Sequence, residues 1–170
     1  MKPLDIRIQI VIIIIVRILT VILEVFKMES FHYLSMSNHM MIQKQLMEQL
    51  KPYGLTLGQP KVLDYLKDHD GANQKEIAAA CHIEAGSLTS VLNRMEDQNM
   101  VERRILNGNR RSFHVFLTKN GRRLQQIVEQ KFHEIEAVAL AGISEEDLNF
   151  FLKTFQKVQD NLSSQNSSDK

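Results

Sequence analysis

Val101-Glu102-Arg103-Arg104-Ile105-Leu106 sets Val101 and Ile105 on one side of a two-residue period, and Phe113-His114-Val115-Phe116-Leu117, beyond Asn107-Gly108, sets Phe113, Val115 and Leu117 likewise. A period of two marks half-buried strands, and Asn-Gly tolerates the positive φ of a tight turn. The pattern predicts a two-stranded hairpin with Arg110 and Arg111 near its tip. The hairpin is also basic. Between Glu102 and Glu129 stand Arg103, Arg104, Arg110, Arg111, Lys119, Arg122 and Arg123, with no acidic residue among them. The whole chain carries a net charge of only +1, so affinity for a polyanion must come from where these charges sit.

The rest of the chain reads as helix. Ser30 to Lys51 has helix-compatible spacing through Leu34, Ile42, Leu46 and Leu50, and Pro52-Tyr53-Gly54 ends it. Thr56 is the expected cap of a helix holding Val62, Leu63 and Leu66, which stops near Asp68-His69-Asp70-Gly71. Asn73 opens a short helix from Gln74 to Cys81, and a second follows from about Ala85 to Gln98. After the hairpin, Thr118 caps a long helix carrying Leu124, Ile127, Val128, Phe132 and Ile135 on one side. Ser144-Glu145-Glu146-Asp147 resembles a capping box, and the helix behind it repeats Leu148, Phe151, Leu152, Phe155 and Leu162. The expected fold class is mainly α with a small β-hairpin wing. Two short helices joined by a tight connection and followed by a basic hairpin make a winged helix-turn-helix, whose usual partner is double-stranded DNA.

On a helical wheel, Leu88, Val91, Leu92 and Met95 share one stripe of the second short helix and face the core. Gly86, Ser90, Asn93 and Asp97 occupy the opposite side, with Ser87, Thr89 and Arg94 on its flanks. Small hydroxyls and an Asn suit entry into the major groove, where Asn pairs bidentately with adenine and Ser or Thr serves donors or acceptors. Gly86 admits close backbone approach, and Arg94 points sideways toward a phosphate. The bland alternative is an ordinary solvated face; the adjacent basic hairpin weighs against it.

Other chemistry finds little support. The single cysteine, Cys81, precludes an internal disulfide, and a reducing cytoplasm is the expected compartment. It falls where the motif wants an apolar residue, which makes it a buried small hydrophobe rather than an oxidation sensor. The six histidines, His32, His39 and His133 among them, form no tight ligand cluster. No nucleophile–base pair, phosphate loop or paired-carboxylate pattern is present. Neither an enzyme nor a cofactor or metal site is expected. Residues 8–26 are mostly Ile, Val and Leu, interrupted by Arg17 and Glu24. This segment reads as upstream sequence from an early start, a membrane anchor or an extra interaction helix, and a central Arg weighs against insertion.

The stretch from Leu57 to Leu124 resembles the MarR family of bacterial winged-helix regulators. The likeness sits in Gln74-Lys75-Glu76-Ile77-Ala78, in Ser87-Leu88-Thr89 leading to Leu92-Asn93-Arg94-Met95-Glu96, and in Val101-Glu102-Arg103-Arg104. It is strongest in the wing, where the family's Asp-x-Arg pattern stands as Asn109-Arg110-Arg111, followed by Leu117-Thr118. The wing acid is thus Asn109 here, the loop between the strands is short, and His82 replaces a glycine that often ends the first helix of the motif.

The resemblance implies a homodimeric, sequence-specific regulator, a repressor more than an activator. It implies DNA contacts from Gln74, Gly86, Ser87, Thr89, Ser90, Asn93, Arg94, Arg104, Arg110 and Arg111. It also implies a small-molecule effector bound between the helical dimer region and the reading domain. Residues 1–29 would form an extension, 30–163 the domain and 164–170 a polar tail; within the domain, 56–117 is the winged helix-turn-helix and 30–51 with 118–163 the dimerisation helices. The rival readings are a protein-interaction module with a degenerate winged helix and a membrane-anchored regulator.

Overall fold

The computed structural model describes residues 9–10, 12–19, 29–106 and 113–165. The chain divides into two compact units, 1–43 and 44–170. In the first, residues 12–19 are helical, and Ile12, Ile13, Ile14, Ile15, Ile18 and Leu19 are each roughly half exposed. No helix among the described residues is long and apolar enough to cross a membrane. Helix α1 (Phe31–Leu50) begins here with Phe31, Tyr33, Leu34, Met36 and Met40 exposed.

Leu46 and Leu50, in the last turns of α1, are buried in the second unit. A 3-10 turn, Lys51–Tyr53, closes the helix, and Gly54 at φ 71° supplies the left-handed residue that turns the chain. Helix α2 (Gln59–Asp68) buries Val62, Leu63 and Leu66 as the spacing predicts. Its start differs from the expectation: Gly58 is the N-cap, and Thr56 makes no side-chain cap. Gln59 follows directly. Its Oε1 accepts the Thr56 backbone N–H at 2.8 Å, and its Nε2 donates to Gln98 Oε1 at 2.8 Å. Burying this amide completely requires both partners, and the extra turn through Gly58 provides them.

Helix α3 (Gln74–Ala80) opens with a full capping box, since Asn73 Oδ1 accepts from Glu76 N–H and Glu76 Oε2 from Asn73 N–H. The turn to α4 (Ala85–Asp97) passes through His82 at φ 50°, so the position where a glycine is often found keeps its left-handed backbone with a side chain attached. On α4, Leu88, Val91, Leu92 and Met95 are all buried. Strand β1 (Val101–Ile105) pairs antiparallel with β2 (Phe113–Leu117), Val101 opposite Leu117 and Ile105 opposite Phe113. The turn Asn107-Gly108, the wing position Asn109, and the arginines Arg110 and Arg111 lie outside the described residues.

The far edge of β2 is also occupied. Gly71 N–H donates to Val115 O at 2.9 Å and Val115 N–H to Ala72 O at 3.0 Å, with a bridge between Asn73 and His114. Gly71 has φ 92°, and a Cβ there would sit 2.7 Å from the Phe116 ring, so only glycine fits. Helix α5 (Lys119–Ala139) starts at Thr118, whose Oγ1 accepts the Gly121 N–H at 3.0 Å. Leu124, Val128 and Ile135 of α5 are buried, and Ile127 and Phe132 pack against the same core.

Helix α6 (Glu145–Gln165) carries its expected apolar repeat but buries none of it: Phe151, Leu152, Phe155 and Leu162 are about half exposed. Ser144 Oγ accepts the Asp147 N–H at 3.1 Å and donates to the Asp147 carboxylate at 2.6 Å. The expected box therefore forms half-way, because Asp is too short to reach back to the Ser144 backbone. The helix runs on through Ser163 and Ser164 to Gln165; the remainder of the expected tail lies outside the described residues.

Candidate nucleic-acid interface

Helix α4 and the hairpin form a continuous, directly bonded piece of structure. The buried stripe of α4 fixes its rotation about its own axis, which leaves Gly86, Ser87, Thr89, Ser90, Asn93 and Arg94 exposed together on the other side. No atom lies within 4 Å of a Cβ built on Gly86, so the helix surface there is open. Thr89 Oγ1 donates to Ala85 O at 3.0 Å and Ser90 Oγ to Gly86 O at 3.4 Å. Each hydroxyl has thus spent its proton on the helix backbone, and its lone pairs remain to accept.

Arg103, part of the basic run but not among the expected DNA contacts, joins the two elements. Its Nη2 donates to Asn93 Oδ1 at 2.7 Å and to Glu96 Oε2 at 2.5 Å, and its Nε donates to Glu96 Oε2 at 3.0 Å. Its backbone N–H reaches Glu96 Oε1 at 3.2 Å. The Arg103 guanidinium holds the Glu96 carboxyl below the ordinary glutamate range. A signal for this was present. Alternation puts Arg103 on the same strand face as Val101 and Ile105, and a guanidinium on the inward face requires an acidic partner on the neighbouring helix.

Arg104, on the other face of β1, pairs with Glu102 and stacks its guanidinium over Phe116, 4.7 Å from the ring centroid. It therefore lies flat along the wing rather than extending from it. Gln74, at the first position of α3, is partly buried, and its Nε2 has no hydrogen-bond partner among the described residues. It sits on a different helix from the other candidates. Arg110 and Arg111 cannot be placed, being outside the described residues.

The base of the wing is clamped from behind. Asp70 Oδ1 accepts the Leu117 N–H at 2.7 Å, and Asp70 Oδ2 accepts from Arg122 Nη2 at 2.6 Å, tying β2 to α5. His114 Nδ1 donates to Gly71 O at 2.7 Å. Arg122 is thereby engaged in structure, whereas Lys119 and Arg123 remain exposed near the same end of α5. Cys81 is buried in the core, its Sγ donating to Lys61 O at 3.5 Å, and burial pushes its thiol pKa up. That is the setting of an inert small hydrophobe.

Residues 55–113, which include the two short helices and β1, match the model of the MarR family. An uncharacterised HTH-type transcriptional regulator of Bacillus subtilis, YwoH, is 32% identical over 116 residues, covering 68% of this chain and 84% of that protein. A MarR-family transcriptional regulator of Listeria monocytogenes, solved in complex with a 26mer DNA, superposes with a TM-score of 0.77 at 18% identity, over 81% of this chain and 92% of that one. The Staphylococcus aureus MepR–DNA complex superposes with a TM-score of 0.70 at 26% identity, over 79% of this chain and 99% of that one. Shared helix order, shared hairpin and this level of identity lead to one conclusion: the chain belongs to the MarR family of transcriptional regulators.

Proposed function

We propose that this protein is a homodimeric, sequence-specific DNA-binding regulator that acts in the cytoplasm as a repressor relieved by a small-molecule effector. The observation that carries the DNA-binding part is the exposed α4 face of Gly86, Ser87, Thr89, Ser90, Asn93 and Arg94, held rigidly beside a basic hairpin. An α-helix fits the major groove, and a rigid neighbouring hairpin gives phosphate contacts that set its register. In this reading α4 supplies base contacts and, through Arg94, a phosphate contact, Gln74 a further DNA contact at the start of α3, and Arg104, Arg110 and Arg111 the wing's contribution.

Homodimerisation is supported by the apolar side chains of α6 that the chain leaves exposed, Phe151 and Leu152 among them, and by those at the start of α1. Two-fold symmetry then presents two reading helices to half-sites about 34–36 Å apart, one turn of duplex. Repression and the effector rest on the family resemblance alone.

Selection of bound fragments from genomic DNA by the purified full-length protein tests the reading. Enrichment of a two-fold symmetric site, with affinity falling steeply as salt rises, is the expected result. Equal retention of all fragments, or no retention of duplex at all, overturns it.

A further inference from the structure

We infer that Arg103 is a positioning residue that turns Asn93 into a one-sided reader, one whose NH2 end rather than its oxygen faces the base edge. The inference rests on the proposal that α4 enters the major groove. A guanidinium carries five N–H donors and no acceptor, so the Asn93 group at 2.7 Å from Arg103 Nη2 must be the amide oxygen. The NH2 end of Asn93 is therefore the end turned away from the wing strand.

The arrangement is locked from three directions. Arg103 grips Glu96 through Nε and Nη2, and its backbone N–H binds the other Glu96 oxygen. Glu96 and Asn93 are one turn apart on α4, so the same guanidinium bridges both. Bidentate recognition of adenine needs an Asn that donates to N7 and accepts from N6 together. Arg103 takes one of the two Oδ1 lone pairs and turns that oxygen toward the wing strand, so the groups Asn93 turns away from the strand are its N–H donors, which suit guanine N7 and O6 or thymine O4. Cytosine presents the N4 donor and adenine the N6 donor, and neither complements it fully. Asn93 thus selects guanine or thymine at one position of each half-site, in place of the adenine that its residue type predicts.

The test is selection of randomised sites with the full-length protein, its Asn93→Ala variant and its Arg103→Lys variant, each checked by thermal melting. Lysine keeps a charge for Glu96 but lacks the fork that also holds Asn93. The wild type is expected to favour guanine or thymine at one position per half-site, and Asn93→Ala to erase that preference. Arg103→Lys is expected to raise adenine at that position alone by about tenfold relative to guanine or thymine. A wild-type preference for adenine there, or an unchanged base ratio in folded Arg103→Lys, overturns the inference while leaving Asn93 as a base contact. If Asn93→Ala alters no position, the base-reading role of Asn93 falls, and this inference with it. Should Arg103→Lys not fold, Asn93→Asp decides: it keeps the acceptor facing Arg103 and removes the donors, so retained discrimination overturns the proposal.

Discussion

Asn93 Oδ1 and Arg103 Nη2 lie 2.7 Å apart, which connects the exposed face of α4 directly to the first strand of the wing. The two elements cannot tilt independently without breaking this contact and the Glu96 pair beside it. Under the proposed function the helix enters a groove and the hairpin reaches the adjacent backbone, which needs a fixed mutual angle. Arg103, its side chain only 20% exposed, provides that angle with charge-assisted hydrogen bonds.

The Glu96–Arg103 pair makes stability depend on pH. Glu96 has its pKa lowered in the folded state, chiefly by the hydrogen bond from Arg103. A group depressed in this way contributes stability above its unfolded pKa, near 4.3, and loses it as pH falls through the folded value. Glu96→Gln should therefore melt below the wild type at neutral pH, with the gap closing as pH drops below about 4. A gap that stays constant from neutral to acidic pH contradicts this account. Salt should narrow it too, because the Glu96 side chain is 39% exposed.

Gly121 is a packing requirement at the start of α5. A Cβ on this residue would stand 1.9 Å from the Met100 carbonyl oxygen, which is fixed by the Thr118 N–H at 3.0 Å. Gly121→Ala must push α5 away from the loop before β1, at a cost of roughly 1–3 kcal/mol or more. Urea unfolding measures it. An alanine variant as stable as the parent shows that the loop moves freely.

Dimerisation should depend on α6. Phe151 and Phe155 stack with ring centroids 5.5 Å apart and remain about half exposed on a stripe shared with Leu148 and Leu152. Replacing both phenylalanines with lysine should give a folded monomer in sedimentation, since α6 buries no residue within the chain. A folded dimer with both lysines places the interface elsewhere.

The wing arginines should differ in weight. Arg111 stands at the Arg of the family's wing pattern and Arg110 at its variable position. Arg111→Ala is expected to weaken operator binding more than Arg110→Ala without altering dimer stability. For each phosphate contact removed, the log–log salt slope should fall by about one unit. Operator titrations of both variants across a salt series check this, and an unchanged affinity for Arg111→Ala removes that residue from the interface.

Much of the architecture was legible in local pattern. Leu88, Val91, Leu92 and Met95 recur at helical spacing, and burying them dictates which side of α4 faces out; the hairpin strands flank Asn107-Gly108, with Val101 on one and Val115 and Leu117 on the other at the inward positions of a two-residue period. Caps at Asn73, Thr118 and Ser144 follow from a short polar side chain standing before an apolar run. These features depend on neighbours within a few residues, so one-dimensional reading reaches them. What it missed depends on partners distant in the chain. Thr56 has the chemistry of a cap, but the helix begins at Gly58, and Gln59 beside it is buried with its amide bonded to Gln98, thirty-nine residues away in sequence. Asn93 has the chemistry of an adenine reader, but Arg103 holds its oxygen. Residue type determined what each side chain is able to donate or accept, and only the tertiary fold decided which of those capacities is already used, because a hydrogen bond to a neighbour occupies one lone pair or proton and fixes where the rest of the side chain points.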